Sequence, residues 1–246
     1  MLKIWHFYLN DFNMHKVTIC IPIFNEEQNI HPLFEDILDS ELYLNVDEII
    51  FIDDKSTDSS LLKIKKISKI HNKVRVISLL KNKGQSYCLY TAVKNSKNDV
   101  IASMDGDCQN PPSELLKLIN IYFDENNIKN QIKLVAGIRK KRQDSIGKIY
   151  ASFLANKIRQ IILKDNCSDT GCSLKVFDKK IFLKNNFFDG IHRFIPALFE
   201  GRNYNASYVN VDHKKRKYGK TKYNNISRLI WGIRDILKVK KILKND

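Results

Sequence analysis

Short runs of β-branched and aromatic residues alternate along this chain with stretches where apolar side chains recur at about every third or fourth position. The runs 17–23, 48–53, 74–79, 100–104 and 134–138 read as strands, and 30–38, 60–70, 85–94 and 112–124 read as helices. Such alternation predicts an α/β fold, a mostly parallel central sheet with helices on both faces. A longer helix is expected over 145–163, then a segment over 168–211 and a basic tail. No internal repeat or low-complexity linker divides the chain, so 17–224 is expected to form one globular unit and 225–246 a C-terminal helix. Residues 1–16 read as a loose extension. They hold aromatics but no clean helical period and no small-residue cleavage site, which makes a poor signal peptide.

Where the apolar runs stop, carboxylates begin. The run at 100–104 leads into Asp105 and Asp107, and side chains two residues apart on extended backbone point the same way. Gln109 continues the row, and Pro111-Pro112-Ser113-Glu114 opens a helix. Oxygen donors grouped in this way suit a hard divalent cation that keeps positions open for phosphate oxygens. An Asp-x-Asp pair alone reads equally well as a solvated acidic loop. Two other strand ends tip the balance: one closes on Asn25-Glu26-Glu27, the other on Asp53-Asp54 ahead of Lys55-Ser56-Thr57-Asp58. Ligands of open α/β sheets bind outside the carboxyl ends of the strands, so the three acidic ends describe one site.

With these motifs the chain resembles the family 2 glycosyltransferases, and within them the dolichyl-phosphate mannosyltransferase and polyprenyl-phosphate glycosyltransferase branch. Further elements that carry the resemblance are Ile21-Pro22-Ile23-Phe24, Asn82-Lys83-Gly84, Met104-Asp105-Gly106-Asp107-Cys108-Gln109-Asn110-Pro111-Pro112 and Gly137-Ile138-Arg139. Asp169-Thr170-Gly171-Cys172, His192-Arg193-Phe194-Ile195-Pro196 and Arg216-Lys217-Tyr218-Gly219-Lys220-Thr221-Lys222 follow in the family's order. Departures are small. Lys55 stands where the family usually has Gly, and Gly106 and Cys108 where it has Ala and Leu; no carboxylate is lost.

The resemblance implies a glycosyltransferase A-type (nucleotide-diphospho-sugar transferase) fold and inverting transfer of a hexose from a GDP- or UDP-sugar to a polyprenyl phosphate. It implies magnesium or manganese held by Asp105, Asp107 and Gln109 against the donor diphosphate. Pro22, Phe24, Glu26, Ile52, Asp54 and Gly106 would line the donor pocket, with Asp54 accepting hydrogen bonds from base or ribose. Arg139 would contact phosphate or sugar, Arg216 and Lys222 would bracket phosphate, and Arg193 would meet the acceptor phosphate. Asp105, Asp107 and Arg216 are the expected catalytic set. A phosphate monoester is already anionic near neutral pH, its second pKa being about 6, so no single general base is expected. Were the acceptor a hydroxyl of a cell-wall or lipopolysaccharide sugar, Asp169 would be the candidate base; otherwise it orients sugar hydroxyls or caps a turn.

Composition changes the picture in two places. No apolar run approaches the roughly 18–20 residues that cross a bilayer. The five scattered cysteines, odd in number and without a Cys-x-x-Cys pair, suit reduced thiols in a cytosol. Of the net charge of +15, residues 201–246 contribute +10. Within them Ile226, Leu229, Ile230, Ile233, Ile236 and Leu237 recur at helical spacing among Arg228, Arg234 and Lys238. Such a helix suits an anionic membrane surface and predicts a peripheral protein at the inner, cytoplasmic face. Nucleic acid is the competing partner of so basic a chain. Against it, the tail lacks regularly interleaved aromatics, and the carboxylate mouth would repel phosphate without a cation.

Overall fold

Both faces of the first strand are covered, and its residues divide between them. The computed structural model describes residues 15–140, 156–216, 218 and 225–244. In β1 (His15–Ile23), Val17, Ile19 and Ile21 enter one core and Cys20 the other. In β2 (Val46–Asp53), Ile49 and Phe51 part from Ile50 and Ile52 in the same way. A strand buried on both faces loses its polar alternation, which is why these segments read as continuous apolar runs.

The remaining elements are α1 (Ile30–Asp39), α2 (Leu42–Asn45), α3 (Ser60–Ile70), β3 (Val74–Ser78), α4 (Gln85–Asn95), β4 (Val100–Ser103), α5 (Pro112–Tyr122), α6 (Glu125–Lys129) and β5 (Ile132–Arg139). Then come β6 (Lys175–Asp178), α7 (Lys179–Leu183), α8 (Ile191–Glu200), β7 (Asn205–Val211) and α9 (Asn225–Lys244). Helices α1, α3 and α5 cover one face of the sheet; α4, α7, α8 and α9 cover the other. The sheet order is β3-β2-β1-β4-β6-β5-β7. β6 runs antiparallel to β4 and β5, and the other four pairings are parallel. The order reverses beside β1, and the crevice between β1 and β4 at such a switch point is where ligands of these sheets bind.

The expected α/β layering is present, with differences that have local causes. The first strand begins at His15, inside the expected extension, where the imidazole stacks on Phe123 at 4.2 Å between ring centroids. The helix expected over 112–124 stops at Tyr122, because Asp124 accepts hydrogen bonds from the Asn126 and Asn127 amides and starts α6. Strands β6 and β7 lie within 168–211, where none was expected. β6 is a four-residue strand opening on a lysine, and β7 is a half-exposed edge strand. Of the helix expected over 145–163, residues 156–163 are described and helical. Of the apolar row expected on the C-terminal helix, Ile236 and Leu237 are described. Ile236 packs inward with Val239, whereas Leu237 is exposed; the side chains of Ile226, Leu229, Ile230 and Ile233 lie outside the described residues.

Candidate active site

The loop after β1 is held to the loop after β2 by a ladder of side chain-to-backbone hydrogen bonds. Asn25 Oδ1 accepts from the Thr57 amide at 2.8 Å, Ser60 Oγ from the Glu26 amide at 2.8 Å and Asp58 Oδ2 from the Glu27 amide at 3.1 Å. The turn between them needs a left-handed residue, and Lys55 takes that conformation at φ 61°. Glu26, Glu27, Asp58 and Tyr218 line a hollow beside this ladder.

The two acidic strand ends of the β2 loop serve the fold. Asp53 accepts from the Ser56 amide and from Ser78 Oγ. Asp54 is buried, and its two oxygens accept from the Lys83 and Gly84 amides at 2.7 and 2.8 Å. Beside the role expected of it toward the donor, Asp54 thus fixes the turn into α4. Ile52, expected in the donor pocket, is wholly buried in the second core. Pro22, its register partner on β1, lines a cavity at the switch point, and Phe24 stands half-buried just beyond the strand.

The carboxylates after β4 form the centre of the site. Gln85 Nε2, from the first turn of α4, donates to Asp105 Oδ1 at 2.7 Å. Arg216 Nη2 donates to Asp107 Oδ2 at 2.5 Å, while its Nη1 reaches Glu26 Oε1 at 3.5 Å. One guanidinium thus ties the ends of β1 and β4 to the basic segment. Burial, reinforced by the Asp107 charge, pushes Asp105 up to about 6, although Ser173, Lys175 and Arg139 oppose the shift. Gly106 is a close approach: a Cβ there would stand 2.2 Å from Ile23 Cδ1. Gln109 donates through Nε2 to the Lys214 carbonyl oxygen at 3.2 Å, and Nε2 also meets the His213 ring. The geometry thus engages its amide nitrogen with the basic segment and leaves Oε1 as the atom that would ligate.

Two carboxylates with oxygen donors only, pressed together in a partly dehydrated niche, fit a divalent cation that completes its shell from substrate phosphate. Among the described residues no group of three His, Cys, Asp or Glu is placed to hold a metal by itself.

Opposite them, Arg139 at the end of β5 makes a two-pronged ion pair with Asp169, Nε to Oδ2 and Nη2 to Oδ1, both at 2.7 Å. Gly171 permits it, since a Cβ there would lie 2.9 Å from Arg139 Nη2. The loop that delivers Asp169 is itself pinned by buried Arg159, which pairs with Asp165 at 2.8 Å and donates to the Thr170 hydroxyl. Arg193, the expected acceptor-phosphate contact, has a carboxylate partner in the C-terminal helix. It pairs with Asp235 of α9 at 2.8 Å, on the side of α8 that meets the C-terminal helix. Lys222 and Gly219 lie outside the described residues.

The structure adds residues that motif reading missed. Gln85, Ser173 and Lys175 line the switch-point cavity with Asp105, as does His192, left open between site and scaffold from the sequence. His192 Nδ1 is 2.7 Å from Ser86 Oγ. A signal for Lys175 was present: it is the one cation in the apolar run Leu174-Lys175-Val176-Phe177.

Residues 18–185 match the family model described as glycosyl transferase family 2. The chain belongs to glycosyl transferase family 2. This family 2 chain is 31% identical over 229 residues to the dodecaprenyl-phosphate galacturonate synthase of Rhizobium johnstonii, covering 91% of the chain and 66% of that protein. It is 28% identical to the undecaprenyl-phosphate 4-deoxy-4-formamido-L-arabinose transferase of Aeromonas hydrophila, covering 87% of the chain and 65% of that relative. The chain therefore spans about two thirds of the length of these curated relatives. Among solved structures, it superposes on the glucosyl-3-phosphoglycerate synthase of Mycobacterium tuberculosis, crystallised with Mn2+, UDP-glucose and phosphoglyceric acid. The TM-score is 0.65 at 16% identity, covering 93% of this chain and 79% of that one. The glycosyltransferase A-type fold of this family 2 member is thereby shown.

Proposed function

We propose that this chain transfers a hexose from a nucleotide-sugar donor to a polyprenyl phosphate. The observation that carries the reading is the convergence of Asp105, Asp107 and Arg216 at the β1–β4 switch point, with the Arg139–Asp169 pair opposite. The names of the two relatives, transferases to dodecaprenyl and undecaprenyl phosphate, support the acceptor class. The manganese and UDP-glucose of the solved neighbour support the donor class.

Asp105 and Asp107 would hold magnesium or manganese, which when bound neutralises charge on the departing nucleoside diphosphate. Arg216, already poised on Asp107, supplies a planar set of donors where phosphate oxygens collect. Glu26 and the hollow beside it offer carboxylate acceptors to the N–H and O–H groups of base and ribose. The acceptor phosphate attacks as an anion, and Arg139 positions it; Lys222 would serve the same charge. The hydroxyl-acceptor alternative needs Asp169 as base, yet both Asp169 oxygens already accept from Arg139. That engagement favours the phosphate acceptor.

The reaction takes place where the isoprenoid tail lies in lipid, so the protein must reach a membrane surface. No helix among the described residues is long and apolar enough to cross one. The exposed Arg234, Lys238, Lys240, Lys241 and Lys244 of α9 would supply peripheral contact with an anionic inner face.

The test is incubation of the protein with UDP- and GDP-sugars and a short polyprenyl phosphate, with manganese or with excess chelator. Transfer to the lipid phosphate is expected, lost with chelator. Asp107→Ala should lower the rate by about two to three orders of magnitude while the protein stays folded, since several kcal/mol of charge stabilisation is withdrawn. Full activity of that variant, or of wild type in chelator, would remove the metal assignment. Transfer to a sugar hydroxyl in preference to the lipid phosphate would overturn the acceptor.

A further inference from the structure

Lys175 is 3% exposed, and it opens β6 directly opposite Ser103 at the end of β4. Its ammonium group carries three N–H donors. One donates to the carbonyl oxygen of Cys172. Among the described residues no carboxylate pairs with it and no other acceptor receives it. A buried charge with one hydrogen bond and no carboxylate in ion-pair contact is costly, although the Asp105 charge across the cavity offsets part of that cost. Leu174, Val176 and Phe177 beside it are fully buried apolar residues. A methionine would be the comfortable occupant. The cation is instead placed against the switch-point cavity, which it lines with Asp105, Ser173 and His192.

The other polar groups around that cavity are engaged with one another. Asp105 receives Gln85, the Ser173 hydroxyl receives the Asp105 amide and Asn110 Nδ2, Ser103 donates to the Ser173 carbonyl, and His192 meets Ser86. Lys175 adds a cation whose ammonium group has one acceptor among the described residues, the Cys172 carbonyl. The cavity adjoins the carboxylates proposed to face the donor diphosphate, which is where the sugar of a nucleotide sugar would sit.

We propose that Lys175 contacts the transferred sugar, donating to one of its oxygen substituents, and so helps to set which hexose is accepted. The inference rests on the glycosyltransferase reading above. The oxygen belongs either to a ring hydroxyl or to a carboxylate, and the donor panel separates the two.

The experiment compares wild type with Lys175→Met, a variant of similar volume without charge or donor. The donors are UDP-glucose, UDP-galacturonate and GDP-mannose, with UDP and GDP as sugar-free ligands. Three results are expected together. Tm of Lys175→Met equals or exceeds that of wild type, because an ill-matched charge leaves the core. Affinity for the nucleoside diphosphates stays within about twofold. kcat/KM falls about 10- to 100-fold, the scale of one charge-assisted hydrogen bond. A loss concentrated on the uronate donor identifies a carboxylate contact, and an equal loss on the neutral hexoses identifies a hydroxyl. A lowered Tm marks Lys175 as structural and overturns the proposal, as does an unchanged kcat/KM. Weakened nucleoside diphosphate binding also overturns it, by moving the contact to phosphate. If wild type transfers to no lipid phosphate, the proposed reaction fails instead. Equilibrium binding of nucleotide sugar against nucleoside diphosphate, wild type beside variant, then still decides the Lys175 contact.

Discussion

Asp105 and Asp107 lie close enough for the charge on one to raise the proton affinity of the other, and burial adds to the effect. With Asp105 at about 6 against the ordinary 3.8, the folded protein holds a proton that the unfolded chain gives up. The contribution of Asp105 to stability is therefore complete below about pH 4 and is lost as pH rises through about 6. Metal-free wild type should lose Tm across that window, while Asp105→Asn should stay level and be the more stable of the two at pH 7. Coincident Tm profiles would place the shift elsewhere. Protons and cation compete for the same oxygens, so manganese should bind more weakly below about pH 6, which a titration at pH 5 and pH 7.5 would read. Lys55 stores a second local cost. A left-handed conformation strains a residue with a Cβ, so Lys55→Gly should stabilise by about 0.5–1 kcal/mol in denaturant unfolding. A loss of stability would mean that the lysine side chain makes contacts worth more than the strain.

The elements that deliver the site carry their own energetics. Arg159 and Asp165 are almost wholly buried, and removing one partner strands the other charge in the core. Arg159→Ala should cost about 3–5 kcal/mol and free the loop that presents Asp169; an unfolding midpoint like that of wild type would contradict this. Over 234–244, helix α9 is anchored by Ile236 and Val239, and the exposed side chains there are mainly charged. Each basic residue near an anionic surface is worth about 1 kcal/mol and is screened by salt. Binding to phosphatidylserine vesicles should accordingly be close to abolished in high salt, in contrast to the partial loss expected of an inserting apolar row. Salt-resistant binding would mean that α9 leaves the domain to insert. The alternating strands and helices up to β5 were legible because strands buried on two faces and helices buried on one have distinct periods. β6 and β7 were not, being a short strand holding a buried lysine and an exposed edge. The grouping of Asp105 and Asp107 was legible from their spacing at a strand end together with the acidic ends of two other strands. The spending of Asp54 on backbone amides, and the turning of Arg193 toward Asp235, depend on partners 29 or more positions away that no local pattern reveals.

At the scale of the whole molecule, chain order and spatial order part company at β6. Strands β1 to β4 are adjacent and parallel, but the neighbour that completes β4 arrives only after β5 and the 156–170 region have been made. During synthesis β4 would stand as an open sheet edge, with unpaired amides and carbonyls, for more than seventy residues of chain growth. Edges of that kind template pairing between molecules. Asp105 lies directly beyond this edge, and its amide is held by the Ser173 hydroxyl, just ahead of β6. The nascent chain thus cannot complete the candidate site until its most aggregation-prone seam has been sealed, and the strand that seals it is the one that brings Lys175.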